Sequence, residues 1–124
     1  MLHIDYRDSR PIYEQIADSF ERMALCGALA PDSQLPSVRQ LAMELSINPN
    51  TIQRAYGELE KRGVVYSVKG KGSFISADCG VLRERRLHEL QGEITDRARQ
   101  ARELGADDQL LISWVMPTIK EGKP

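Results

Sequence analysis

Apolar positions along the chain fall into blocks with two different periods. Ile12, Ile16, Phe20 and Met23 recur at spacings of four, four and three, which sets them on one face of an amphipathic helix. Pro11 suits the first turn of that helix, after Ser9 or Arg10, and Gly27 marks its end. Upstream, His3-Ile4-Asp5-Tyr6 alternates weakly, the pattern of a short strand. Pro31, Asp32 and Pro36 make a rigid connection, and Ser37 then stands where it caps a short helix with apolar positions Val38, Leu41, Ala42 and Leu45. Ser46-Ile47-Asn48-Pro49 predicts a tight turn and a new helix start, with Asn48 as cap and Pro49 at the first helical position. That third helix runs to about Arg62, buries Ile52, Ala55, Tyr56 and Leu59, and stops at Gly63.

The period changes at Val64. Val64, Val65, Tyr66, Val68, Phe74 and Ile75 are β-formers on either side of Lys69-Gly70-Lys71-Gly72, which predicts a hairpin with a basic, glycine-rich tip. Tyr56 and Tyr66 both fit buried faces. Beyond Cys79-Gly80 the helical period returns with Leu87, Leu90, Ile94, Ala98 and Ala101 as far as Gly105. Asp107 and Asp108 can cap a last helix carrying Leu110, Leu111, Trp114 and Val115, expected to end before Pro117. The predicted architecture is mostly α with a small β wing: a winged helix-turn-helix over 1–77, a short two-helix dimerisation tail over 78–117 and a disordered end over 118–124.

With 124 residues, 41% of them apolar, the chain can build one modest core but not an elaborate multidomain enzyme. No run approaches the roughly 20 apolar residues of a membrane span, and the N-terminus lacks the basic-then-apolar pattern of a signal peptide. The expected location is the cytoplasm, with no membrane partner. Cys26, Cys79, His3 and His88 stand apart, in no spacing that makes a metal site. No catalytic set or phosphate loop is present, so neither an enzyme nor a cofactor is expected. The net charge of −1 hides a local imbalance: Pro36 to Ser76 carries six basic side chains (Arg39, Arg54, Lys61, Arg62, Lys69 and Lys71) against three acidic ones. Positive charge able to attract nucleic acid lies in the middle third.

Two helices joined by a tight turn and followed by a basic hairpin form a module that places its second helix in the DNA major groove, N-terminal residues leading. Here that leading edge is Asn48, Asn50, Thr51, Gln53 and Arg54, whose amides, hydroxyl and guanidinium can read base edges or bond phosphates. A winged helix serving a protein partner would be expected to lose such an edge. The segment LPSVRQLAMELSINPNTIQRAYGELEKRGVVYSVKGKGSFI, Leu35 to Ile75, resembles the DNA-binding domain of GntR-type repressors. It has the LPSxRxLA opening, the NPNTxxxAYxxLExxG recognition helix and the GxGxF wing. The resemblance implies DNA contacts at Arg39, Asn48, Asn50, Thr51, Gln53 and Gly70. Charge and placement add Ser37, Arg54, Lys69 and Lys71 as phosphate contacts. For Asn48 and Pro49 helix capping is an equally good reading, and for Arg39 the alternative is a surface ion pair. Many members carry an arginine where this chain has Pro49, so one common contact is absent.

The remaining tail resembles that of the YtrA subfamily, which serves dimerisation. Leu87, Leu90, Ile94, Ala98 and Ala101 form a narrow seam of the kind that pairs helices, with Arg83, Glu84, Arg86, Glu93, Arg97 and Arg99 on the flanks. The alternative is packing against the chain's own winged helix. A homodimer reading two half-sites roughly 34 Å apart implies a near-palindromic double-stranded operator, and the resemblance implies repression. A small-molecule effector of unknown identity is left open: Trp114 and Met116 could line a cavity at the dimer interface, although ordinary packing accounts for them.

Overall fold

A computed structural model describes residues 2–121, in two compact units, one reaching Glu84 and the other starting at Arg85. The first unit contains α1 (Ile12–Leu25), α2 (Val38–Leu45), α3 (Pro49–Lys61), β1 (Val65–Val68) and β2 (Gly72–Ile75). The division into units falls within α4 (Cys79–Glu103), and α5 (Asp108–Glu121) completes the second unit.

Around α1 and α3 lies the core. Ile16, Ala17 and Phe20 of α1 are buried with Ile52, Ala55, Tyr56 and Leu59 of α3, and Leu41 and Ala42 of α2 join them. Phe20 meets Tyr56 edge to face, with ring centroids 6.0 Å apart, the arrangement favoured by the ring quadrupoles. Burial pushes the Tyr56 hydroxyl above the usual tyrosine range, with Glu44 adding in the same direction. Its proton is therefore retained and donated to the Pro36 carbonyl at 2.7 Å, tying α3 to the start of α2. Arg62 closes the other side: its guanidinium reaches Asp18 at 2.8 Å and Glu58 at 3.2 Å. This cation belongs to the fold, so it drops out of the positive charge that the sequence offered to DNA.

β1 and β2 pair antiparallel, with Tyr66 opposite Phe74. The connection before α2 adds a short third edge: Leu35 N–H donates to Ser73 O and Ile75 N–H to Ser33 O, each at 2.8 Å. Tyr66 departs from the expectation of a core position. It is exposed, stacks on Phe74 with centroids 5.6 Å apart, and donates its hydroxyl to Asp32 at 2.9 Å. With period two, only alternate wing residues face inward, and Val65 and Ile75 fill those places.

No strand forms at His3–Tyr6. The buried Gln15 side chain takes over the backbone there, accepting from Asp5 N–H at 2.8 Å and donating to the carbonyls of Asp5 and Arg10. Pro11 lies just outside α1 as its cap residue. In the second unit, Gly105 (φ +98°) ends α4, and the Asp107 carboxylate accepts from Leu110 N–H at 2.9 Å to start α5. α5 continues through Pro117 to Glu121, past the expected stop. Proline removes one backbone donor, and the residues after it can still bond back to carbonyls of the preceding turn. Of the end expected to be disordered over 118–124, the part up to Glu121 is helical, and 122–124 lie outside the described residues.

Candidate nucleic-acid interface

Three local structures carry the polar positions. Ser37 caps α2, its hydroxyl accepting from Gln40 N–H at 3.0 Å, and the capping places Arg39 in the first turn, exposed. Among the described residues Arg39 has no carboxylate partner.

The turn between α2 and α3 is made by Ser46, whose left-handed backbone (φ 53°) returns its N–H to Ala42 and Met43. A non-glycine residue in that region carries a cost. Ile47 N–H also bonds the Ala42 carbonyl at 3.0 Å, and Ile47 packs against the core. Asn48 then caps α3, its side-chain oxygen accepting from Asn50 N–H at 2.8 Å. Capping uses the amide oxygen and leaves the amide nitrogen as a donor, so the two readings of Asn48 are compatible. Pro49 occupies the first turn. Asn50, Gln53 and Arg54 are exposed and Thr51 half-buried. Asn50, Thr51 and Arg54 share a groove of about 400 Å³ with Pro11, Ile12 and Tyr13 of the α1 start.

The third structure is the wing tip. Lys71 N–H returns to Val68 O at 2.9 Å around Gly70 (φ 78°), a turn that needs positive φ at its third residue. Gln34 braces it, donating to Lys71 O at 2.7 Å. A Cβ at Gly72 (φ 115°) would fall 2.9 Å from that same amide nitrogen. Lys69, Gly70 and Lys71 are exposed, and neither lysine has a carboxylate partner among the described residues.

Sequence reasoning passed over Gln34 and Tyr13. Tyr13 carried a signal, being an aromatic on α1 outside the Ile12-Ile16-Phe20-Met23 stripe, whereas Gln34 carried none, because its role depends on a hairpin far along the chain.

Of the tail residues, Leu90, Ala98 and Ala101 are half-buried, while Leu87 and Ile94 are exposed, Ile94 to 63%. Ile94, Ala98, Leu111, Trp114 and Val115 line an open groove within the second unit, and Met116 is not part of it. Among the described residues no cluster of His, Cys, Asp and Glu could hold a metal, and no helix is long and apolar enough to cross a membrane. Cys79 is buried, and burial followed by Asp78 pushes its thiol up, the opposite of a reactive cysteine.

Comparison with known proteins places this geometry in a lineage. Residues 12–75 match the family model described as bacterial regulatory proteins, gntR family. The chain is 35% identical over 127 residues to the HTH-type transcriptional repressor YtrA of Bacillus subtilis (strain 168), covering 99% of this chain and 98% of that one. A crystal structure of a transcriptional regulator from Oenococcus oeni is similar with a TM-score of 0.76 at 27% identity, over 96% of this chain and 99% of that one. The AraR DNA-binding domain, solved in complex with operator ORE1, is similar over 61% of this chain and 93% of its own, with a TM-score of 0.52 at 26% identity. These relatives are transcription regulators, not enzymes. With its helix-turn-helix, wing and near full-length YtrA relative in agreement, the chain belongs to the GntR family of DNA-binding transcriptional regulators.

Proposed function

We propose that the chain is a repressor that occupies a near-palindromic operator as a homodimer. The observation that carries the DNA reading is an edge of cations and amides left free by the fold. Arg39, Gln53, Arg54, Lys69 and Lys71 are exposed and lack carboxylate partners among the described residues, whereas Arg62 is half-buried and paired with Asp18 and Glu58. Arg39, Asn50, Thr51 and Gln53 read or flank base edges, with Asn48 beside them. Ser37, Arg54, Lys69 and Lys71 hold phosphates, and Gly70 lets the wing backbone approach the duplex.

The dimer reading rests on the second unit. Among its described residues none is buried, and nine large apolar side chains from Leu87 to Ile119 stand exposed. Leu87, Leu90, Ile94, Ala98 and Ala101 form the seam, and pairing two copies covers them. The test is a gel shift of the pure protein on its own promoter region at two salt concentrations with unrelated DNA as competitor. A discrete, competitor-resistant complex at nanomolar protein supports a specific regulator. Binding that salt abolishes and competitor removes equally contradicts it.

A further inference from the structure

Where α1 meets α3, the structure holds a pair that the helix-turn-helix pattern does not require. The guanidinium carbon of Arg54 lies 4.0 Å from the centroid of the Tyr13 ring. Tyr13 is half-buried at the start of α1, and its hydroxyl donates to Glu14 at 3.3 Å. The ring cannot drift from α3, because α1 is fixed to it by the Phe20–Tyr56 contact and the Asp18–Arg62 ion pair. Arg54 itself is exposed and has no carboxylate partner among the described residues.

A ring under a guanidinium occupies its face and leaves the N–H edge free to donate. It also settles in advance the rotamer freedom that an exposed arginine loses on binding. Arg54, Asn50 and Thr51 border one groove, and no acidic residue lines it. An arginine held in this way, beside the residues proposed to read bases, suits a backbone phosphate oxygen. We propose that Tyr13 is a positioning residue for DNA binding, its ring presetting Arg54 to hold an operator backbone phosphate at the α1–α3 groove. The inference rests on the DNA-binding reading above.

The test uses the full chain and a labelled duplex that the chain itself selects from a random-sequence pool, with affinity read by fluorescence anisotropy. Tyr13→Leu is expected to weaken binding about fivefold, the upper size of a cation–π contact at an exposed site. Tyr13→Phe, which keeps the ring, stays within about twofold of wild type. Arg54→Ala weakens binding and makes the salt dependence shallower by about one phosphate contact. In the Arg54→Ala background Tyr13→Leu adds no further loss, a coupling that a merely structural role for the ring would not produce. Arg54 is exposed, so its variant folds even where Tyr13→Leu does not. The proposal is overturned where Arg54→Ala binds as wild type, where Tyr13→Phe loses as much as Tyr13→Leu, or where the Tyr13→Leu loss persists undiminished without Arg54. Absence of selected binding by the wild-type chain would instead remove the DNA reading itself.

Discussion

The two units spend their apolar side chains differently. In the unit ending at Glu84, fifteen residues form a buried cluster and five large apolar side chains stand exposed. In the unit beginning at Arg85, none of the described residues is buried and nine large apolar side chains are exposed, Leu104 to 91%. Among the described residues the ion pair of longest sequence reach also lies in the first unit. Arg62 of the first unit bridges elements distant in sequence, while in the second Arg86–Glu89 and Arg99–Asp96 are exposed pairs one turn apart, worth a few tenths of a kcal/mol each. The first unit buries most of its apolar side chains among themselves. The second leaves its own uncovered, and the proposed pairing of two copies rests on that surface.

Substitutions can sharpen that contrast. The largest effect is expected in the closed core, where Leu59→Ala should cost about 2 to 5 kcal/mol of stability by removing a fully buried side chain, read by urea unfolding at fixed protein concentration. A cost below about 1 kcal/mol would mean the core is less tightly packed than the burial implies. Next is the seam: Leu90→Arg combined with Ile94→Arg should give a monomer by sedimentation, with operator affinity reduced about a hundredfold through loss of the linked second half-site. A variant that still sediments as a dimer removes Leu90 and Ile94 from the interface.

Arg39→Ala should weaken specific binding by about 1 to 3 kcal/mol, with relaxed preference at the base it reads and little change in melting temperature. Equal affinity for the selected duplex would take Arg39 out of the interface. Smallest is Lys71→Ala, expected to leave sequence preference intact and to make the slope of log affinity against log salt shallower by about 0.9. An unchanged slope would mean that the wing tip does not touch phosphate.

Most of the first unit could be read in the sequence because its elements obey local rules. The stripe on α1, the Ser37 and Asn48 caps, the Asn48-Pro49 helix start and the glycine tip of the hairpin each need only neighbouring residues to be recognised. What escaped depends on contacts across the chain or on one element overriding its own propensity. Ser46 turns left-handed although it is not glycine, because the next residue, Ile47, is drawn into the core. Gln15 replaced the expected strand at His3–Tyr6 with side-chain bonds to its backbone. Tyr66 faces outward because Val65 and Ile75 fill the inner places, and Arg62 looked like charge for DNA until Asp18 claimed it. At the candidate interface the polar residues were legible by type and spacing. Their lack of acidic partners, and the ring beneath Arg54, were not, since both are properties of packed neighbours.

On the proposed reading, two copies place this free edge on the two halves of a symmetric site. Hydroxyl-radical footprinting of the wild-type chain on its selected duplex puts that arrangement to the test. Two protected patches are expected, separated by about one helical turn, roughly 34 Å, and related by near-twofold symmetry. A single asymmetric patch, with one chain bound per duplex, would contradict it.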